Sequence, residues 1–276
     1  MPIGTNVYDR EWDMLVILDA CRVDAIEEVA PEYEFIESVD SIRSVGSTSF
    51  EWMPLTFTRE HEDDIAETSY ITGNPYTESV FERKDHPPVR DAIPFGPTDY
   101  DVVDDDDFDH LEELWKYEQA GDFNRKPPRF TTDRAISTAR SRDPEKLIVH
   151  YMYPHNPFPL ADEGLEKPFD DLKAGNVSRE TVWELYLENL RYVLDDVELL
   201  LESTDMDRVV ITADHGEAFG EYGFYKHIIG CPLPCVRRVP WIRTSAVDTE
   251  TYEPDREELP SRTTSAEERL KGLGYL

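Results

Sequence analysis

Residues 207–217 read Asp207-Arg-Val-Val-Ile-Thr-Ala-Asp-His-Gly-Glu217, with Phe219-Gly-Glu221 and Lys226-His227 close behind. The β-branched run 209–212 is short and apolar, the form of a strand buried inside a parallel sheet. It stops at a carboxylate, an imidazole and a glycine, and open α/β sheets place ligands at such strand ends. Within a strand Asp214 and His215 would point to opposite faces; past its end the chain turns, and both can converge on one cation. Gly216 is expected to permit that turn.

Elsewhere the pattern repeats. Met14-Leu-Val-Ile-Leu18 is a continuous apolar run ending at Asp19, as in a central strand covered on both faces. A helix is expected over 23–29 and a strand over 35–39. Another helix starts at Ser47-Thr48-Ser49, where Thr48 with Glu51 fits a capping box and Ser49 is an equally acceptable cap. Residues 132–140 predict a helix feeding a strand at 146–150, and over 179–202 apolar residues recur at helical spacing. A late strand at 236–242 contains Pro240, which places it near a sheet edge. This alternation predicts an α/β fold: an α/β/α sandwich around a doubly wound, mostly parallel sheet. The 276 residues suit a single domain, 1–276. Within it, about 77–129 is an irregular acidic insertion, a lid or a disordered stretch, with a helical stretch near 111–117.

Composition narrows the partners. Sixty Asp and Glu against 28 Lys and Arg give a formal charge of −32, which opposes binding to nucleic acid or an anionic membrane surface. The acid excess is spread along the chain and Arg outnumbers Lys, the composition of an extreme halophile, whose salt screens the self-repulsion. No apolar run approaches the roughly 20 residues of a membrane span, and the N-terminus lacks the apolar core of a signal peptide. A cytoplasmic location is therefore expected. Cys21, Cys231 and Cys235 are too few for a disulfide scaffold and read as buried small apolar residues.

Asp19, Ser47-Thr48-Ser49, His150 with His155, and Asp214-His215 all lie at strand or helix ends. A parallel sheet gathers its strand C-termini on one edge, so these residues can meet there. Carboxylates, an imidazole and a hydroxyl suit Zn²⁺ or Mn²⁺ better than thiolate-loving cations.

On these residues the chain resembles the alkaline phosphatase superfamily, in its sulfatase-like branch. Leu18-Asp19-Ala-Cys-Arg22-Val-Asp24 is similar to the branch's opening Asp-x-x-Arg-x-Asp, and Thr212-Ala-Asp-His-Gly-Glu217 with Phe219-Gly-Glu221 to its late metal-binding motif. Pro154-His155-Asn-Pro-Phe158 resembles the Pro-His-x-Pro of sulfatases, and Arg269-Leu-Lys-Gly-Leu-Gly-Tyr275 the C-terminal Leu-x-x-Leu-Gly-Tyr. Gly46-Ser-Thr48-Ser resembles the Gly-x-Thr-Ser of lipoteichoic acid synthases. Thr48 also falls at the formylglycine position of sulfatases, whose Cys-x-Pro-x-Arg signature is absent.

The resemblance implies one divalent cation, Zn²⁺ or Mn²⁺ before Ca²⁺ or Mg²⁺, held by Asp19, Thr48, Asp214 and His215. It implies Thr48 as nucleophile, with His155 and His227 binding a non-bridging oxygen or protonating the leaving group. One metal is expected because Tyr151 stands where two-metal members carry a carboxylate, and Ala20 stands where sulfatases place a second metal-binding Asp. Ser47 and Ser49 are the alternatives to Thr48, and Thr48 as a helix cap alone is the other reading. Arg22 either binds a substrate oxyanion or pairs with Asp24. His150 reads as a wall residue, and His61, His86 and His110 as solvated. The implied function is a metal-dependent hydrolase or transferase of phosphoric or sulfuric esters, small-molecule or glycan. The alternative is a catalytically degenerate relative that binds an anionic glycan or a partner protein.

Overall fold

The structure, a computed structural model, describes residues 4–86, 100–117, 127–158, 165, 167–255, 266, 267 and 270. Its strands are β1 (Met14–Leu18), β2 (Asp40–Arg43), β3 (Thr68–Thr72), β4 (His110–Glu113), β5 (Lys146–Tyr151), β6 (Met206–Thr212) and β7 (Arg238–Ala246). Its helices are α1 (Val23–Val29), α2 (Ser49–Thr56), α3 (Glu62–Ile65), α4 (Arg129–Arg142), α5 (Pro168–Ala174), α6 (Arg179–Leu201) and α7 (Pro234–Arg237). The strands form one sheet in the order β2-β7-β6-β1-β5-β3-β4. β7 runs antiparallel to β2 and β6, and the other neighbours pair in parallel.

β1 lies between β5 and β6 with all its side chains buried. The pleat sends Met14, Val16 and Leu18 into a core shared with α1, α4 and α6. Leu15 and Ile17 enter the core on the other face with Trp52 and Met53 of α2. Neither face meets water, so the strand reads as an unbroken apolar run rather than an alternating one. Ser178 caps α6 by accepting the Thr181 N–H at 3.1 Å. The buried stripe Val182, Tyr186, Leu190, Val193 and Val197 then seats that helix on the sheet, each large apolar side chain contributing about 1.5–3 kcal/mol. Among the described residues no helix is long and apolar enough to cross a membrane.

Local expectations fail where tertiary pairing decides. Residues 35–39 form no strand; the strand starts at Asp40 and is the partly exposed sheet edge. β7 lies next to that edge, as expected, and Pro240 lies opposite Ser41, one residue past Trp241, the last partner of β6. Its missing N–H is not needed by β6 there. Residues 110–113 pair with β3 as a strand, and only 114–116 form a 3₁₀ turn, in place of the expected helical stretch. β3 itself went unforeseen because Thr68-Ser-Tyr-Ile-Thr72 is mostly polar, although fully buried. The described part of the expected insertion thus completes the sheet. Residues 87–99 and 118–126, and the C-terminal motif at 269–275 except Leu270, lie outside the described residues. His61 stacks on Tyr8, with ring centroids 5.6 Å apart, rather than standing in solvent.

Candidate active site

Asp19 follows β1 and Asp214 follows β6, and because these strands are parallel neighbours their ends meet. Asp19, Asp214 and His215 are fully buried, each with a ligand atom within 4.8 Å of the others'. His215 Nε2 stands 3.5 Å from Asp19 Oδ1 and 3.4 Å from Asp214 Oδ2, and it has no hydrogen-bond partner. Its Nδ1 lies 2.9 Å from the Gly216 carbonyl. That carbonyl can only accept, so Nδ1 carries a proton and Nε2 is the ring atom turned to two carboxylates. Two carboxylates and an imidazole, buried together, fit a divalent cation.

Asp214 is held on every side. Its Oδ1 accepts the N–H groups of Ala20 at 3.2 Å and His215 at 2.9 Å, and its Oδ2 accepts the Ser49 hydroxyl at 2.6 Å. Burial opposes its charge, but His215, His150 and these donors outweigh burial and keep the carboxyl below the usual range. Ala20 adopts a left-handed φ of 63° to aim its N–H, a conformation that costs a non-glycine residue about 1 kcal/mol or more. Gly216 has no positive φ. It is required instead by a close approach, since a Cβ there would lie 2.2 Å from the Cys235 carbonyl oxygen.

The three hydroxyls at 47–49 separate by role. Ser47 donates to Glu51 at 2.6 Å and also contacts the Ile228 carbonyl, while Ser49 is committed to Asp214. Thr48 caps α2 by accepting the Glu51 N–H at 3.1 Å. It also lines a cavity of about 260 Å³ together with His155, Asn156, Lys226 and His227. Cap and cavity-lining hydroxyl are therefore the same residue. The capping box is half formed: Glu51 turns its carboxylate to Ser47 and to Arg237 instead of the Thr48 N–H.

Opposite Thr48, His155, Glu217 and His227 form a second group of metal-ligating type, again with ligand atoms within 4.8 Å of one another. Glu217 lies 3.1 Å from His227 Nδ1, and the His227 ring is 4.2 Å from that of His215. Burial pushes Glu217 up to about 8. Burial, then repulsion from neighbouring histidines, holds His155 and His227 well below the ordinary imidazole value, so both rings are neutral near pH 7. The His155 loop is tied down by its own N–H to the Asp19 carbonyl and by Asn189 of α6, which donates to the Pro154 carbonyl at 3.0 Å.

No family model matches the chain, and no curated protein matches its sequence. Solved structures do match it. Lipooligosaccharide phosphoethanolamine transferase A of Neisseria meningitidis, an integral membrane protein, superposes with a TM-score of 0.52 at 16% identity over 91% of this chain. The C-terminal periplasmic domain of EcEptC from Escherichia coli, solved as a complex with Zn, superposes with a TM-score of 0.52 at 12% identity, covering 89% of this chain and 76% of that one. The chain shares the α/β fold of these two proteins. It spans half the length of the Neisseria protein. A 2-O GAG sulfatase matches more distantly, with a TM-score of 0.41 at 16% identity over 84% of this chain and 63% of that one. The expected cytoplasmic location has no counterpart in these two proteins, one an integral membrane protein and the other a periplasmic domain.

In this fold the expected residues divide. Asp19, Asp214 and His215 come together, and Thr48, His155 and His227 line one cavity. Arg22 does not line it: its guanidinium grips Asp24 at 2.8 and 2.6 Å, Glu221 at 2.7 Å and the Glu217 carbonyl at 2.8 Å. It braces the loop that carries Glu217, as the Asp24-partner reading has it. Tyr151, expected to mark a lost metal ligand, faces the core away from the cavity and meets Thr132 at 2.8 Å. The nearby carboxylate is instead Glu217, three residues after Asp214, and Lys226 lines the cavity beside His227; neither was expected at the site from the sequence. Arg237 and Asn189 carry no sequence signal, because each acts through long-range contacts; Glu51 was legible only as a capping partner, and its pairing with Arg237 is long-range. His150 is a fully buried wall, bonded to Tyr70 at 2.9 Å.

Proposed function

We propose that the chain is a metal-dependent transferase or hydrolase of phosphoric esters that works through Thr48. The observation that carries this reading is the partnerless His215 Nε2 held between Asp19 and Asp214, beside a cavity lined by Thr48, His155 and His227. A bound divalent cation would acidify the Thr48 hydroxyl and neutralise charge on the ester oxygen. The Thr48 oxygen attacks phosphorus in line while its proton passes to a neutral imidazole, His155 or His227. The ester P–O bond breaks, and the imidazolium returns that proton to the leaving oxygen. Water or an acceptor hydroxyl then attacks the phosphothreonine, giving its proton to the imidazole, and the Thr48 oxygen is released and reprotonated. Lys226, at the cavity wall and 3.2 Å from Asp170 Oδ1, would turn from that carboxylate to an anionic substrate. Phosphoric esters are favoured because the Neisseria protein that superposes with a TM-score of 0.52 is a phosphoethanolamine transferase and because threonine cannot yield formylglycine.

The test pairs metal analysis with turnover of 4-nitrophenyl phosphate. Thr48→Ala should keep its metal and lose turnover, whereas Asp214→Asn should lose both. Undiminished turnover by Thr48→Ala sinks the nucleophile assignment. Absence of turnover from any metal-loaded preparation, with or without an alcohol acceptor, returns the chain to the binding-protein reading.

A further inference from the structure

A second cavity, of about 290 Å³, opens between Ser41 and Arg43 of β2, the α7–β7 junction at Arg237 and Arg238, and Pro232 and Pro234. None of these residues lines the first cavity. Arg43 and Arg238 are direct cross-strand partners, so their side chains leave the same face with Cβ atoms about 4.5–5.5 Å apart. Like charges in that position repel. The chain has 60 acids for 28 bases, yet neither guanidinium has a carboxylate partner among the described residues. Arg59, Arg129, Arg191 and Arg208, by contrast, all pair with carboxylates. Arg238 is instead held by the Ser41 hydroxyl, with Nε donating at 2.6 Å. Arg237, 4% exposed, lines the cavity with its donors committed to Cys231, Val45 and Glu51, so Arg43 and Arg238 carry the unpaired charge there.

We propose that Arg43 and Arg238 form a binding site for a small-molecule oxyanion, a phosphate-type group carried on a compact apolar body. Two forked guanidinium groups side by side match the oxygens of one tetrahedral anion, which removes their repulsion and gains charge-assisted hydrogen bonds. The cavity exceeds the needs of a bare phosphate and approaches the lower size of small-molecule sites, about 300 Å³. Pro232 and Pro234 supply an apolar wall for the remainder. The site stands independently of the ester chemistry at Thr48.

Phenylphosphonate, whose P–C bond resists hydrolysis, serves as the probe in calorimetric titrations of the metal-loaded chain at fixed KCl. Arg43→Ala/Arg238→Ala should lose one binding equivalent relative to wild type, or weaken it about tenfold or more, without a lower melting temperature, since both residues are exposed. Arg43→Lys/Arg238→Lys keeps both charges without the forks and should also weaken binding; it carries the test if the alanine variant does not fold. Isotherms that match wild type in a folded variant overturn the proposal.

Discussion

Replacing Arg237 by methionine should destabilise the fold and slow catalysis together, because this one side chain ties three segments around the Thr48 loop. It is 4% exposed and donates to the Cys231 carbonyl at 2.9 Å, the Val45 carbonyl at 2.7 Å and Glu51 Oε1 at 2.8 Å. Removing one partner of a buried ion pair costs about 3–5 kcal/mol. Glu51 would keep Ser47 N–H at 2.9 Å, the Ser47 hydroxyl at 2.6 Å and Gly230 N–H at 3.2 Å, which argues for the lower end of that range. Each kcal/mol shifts the melting temperature of a chain near this size by ~2–4 °C, so a drop of at least roughly 6 °C is expected. Urea denaturation and thermal melts followed by circular dichroism at constant KCl give the measurement. Arg237→Met/Glu51→Leu, which removes both charges, should recover part of the loss. A single variant within about 1 kcal/mol of wild type, or a double variant less stable than the single, would refute the reasoning.

Three further outcomes follow from the same geometry. Ser49→Ala removes the hydroxyl that orients Asp214 and should weaken metal affinity about 10–100-fold with Thr48 intact; equal affinity by competition with a chelating dye would exclude Ser49 from that role. In the metal-free chain Glu217 has its carboxyl raised to about 8, so the fold holds this proton more tightly than the unfolded chain does. Its stabilisation is complete below the unfolded value and is lost as pH rises through 8. Glu217→Gln should therefore flatten the decline in stability between about pH 4.5 and about pH 8, and an unchanged slope speaks against the buried, protonated carboxyl. Finally, the formal charge of −32 predicts a melting temperature that climbs from about 0.1 M to about 2 M KCl as the Debye length shrinks; a flat profile would show that self-repulsion is unimportant.

The sequence by itself determined the three central strands β1, β5 and β6 and the candidate cation corner. β1, β5 and β6 announce themselves because a strand covered on both faces must be apolar throughout, and each is followed by residues with ligand chemistry. α6 is equally plain, because one buried stripe at helical spacing has no other use. Asp19, Asp214 and His215 could be placed together from the parallel order alone, since that order puts their strand ends on one edge. The tertiary structure decided the rest. Whether 110–113 is helix or strand depends on β3 lying alongside, and whether β7 is an edge depends on β2, which pairs from nearly 200 residues away. Which hydroxyl of Ser47, Thr48 and Ser49 faces the cavity was settled by where Glu51 and Asp214 stand. Arg22 was drawn to Asp24 and Glu221, and Tyr151 to Thr132. Strand burial and helix periodicity are local properties of composition, whereas a polar side chain takes its partner from whatever the fold brings within about 3 Å.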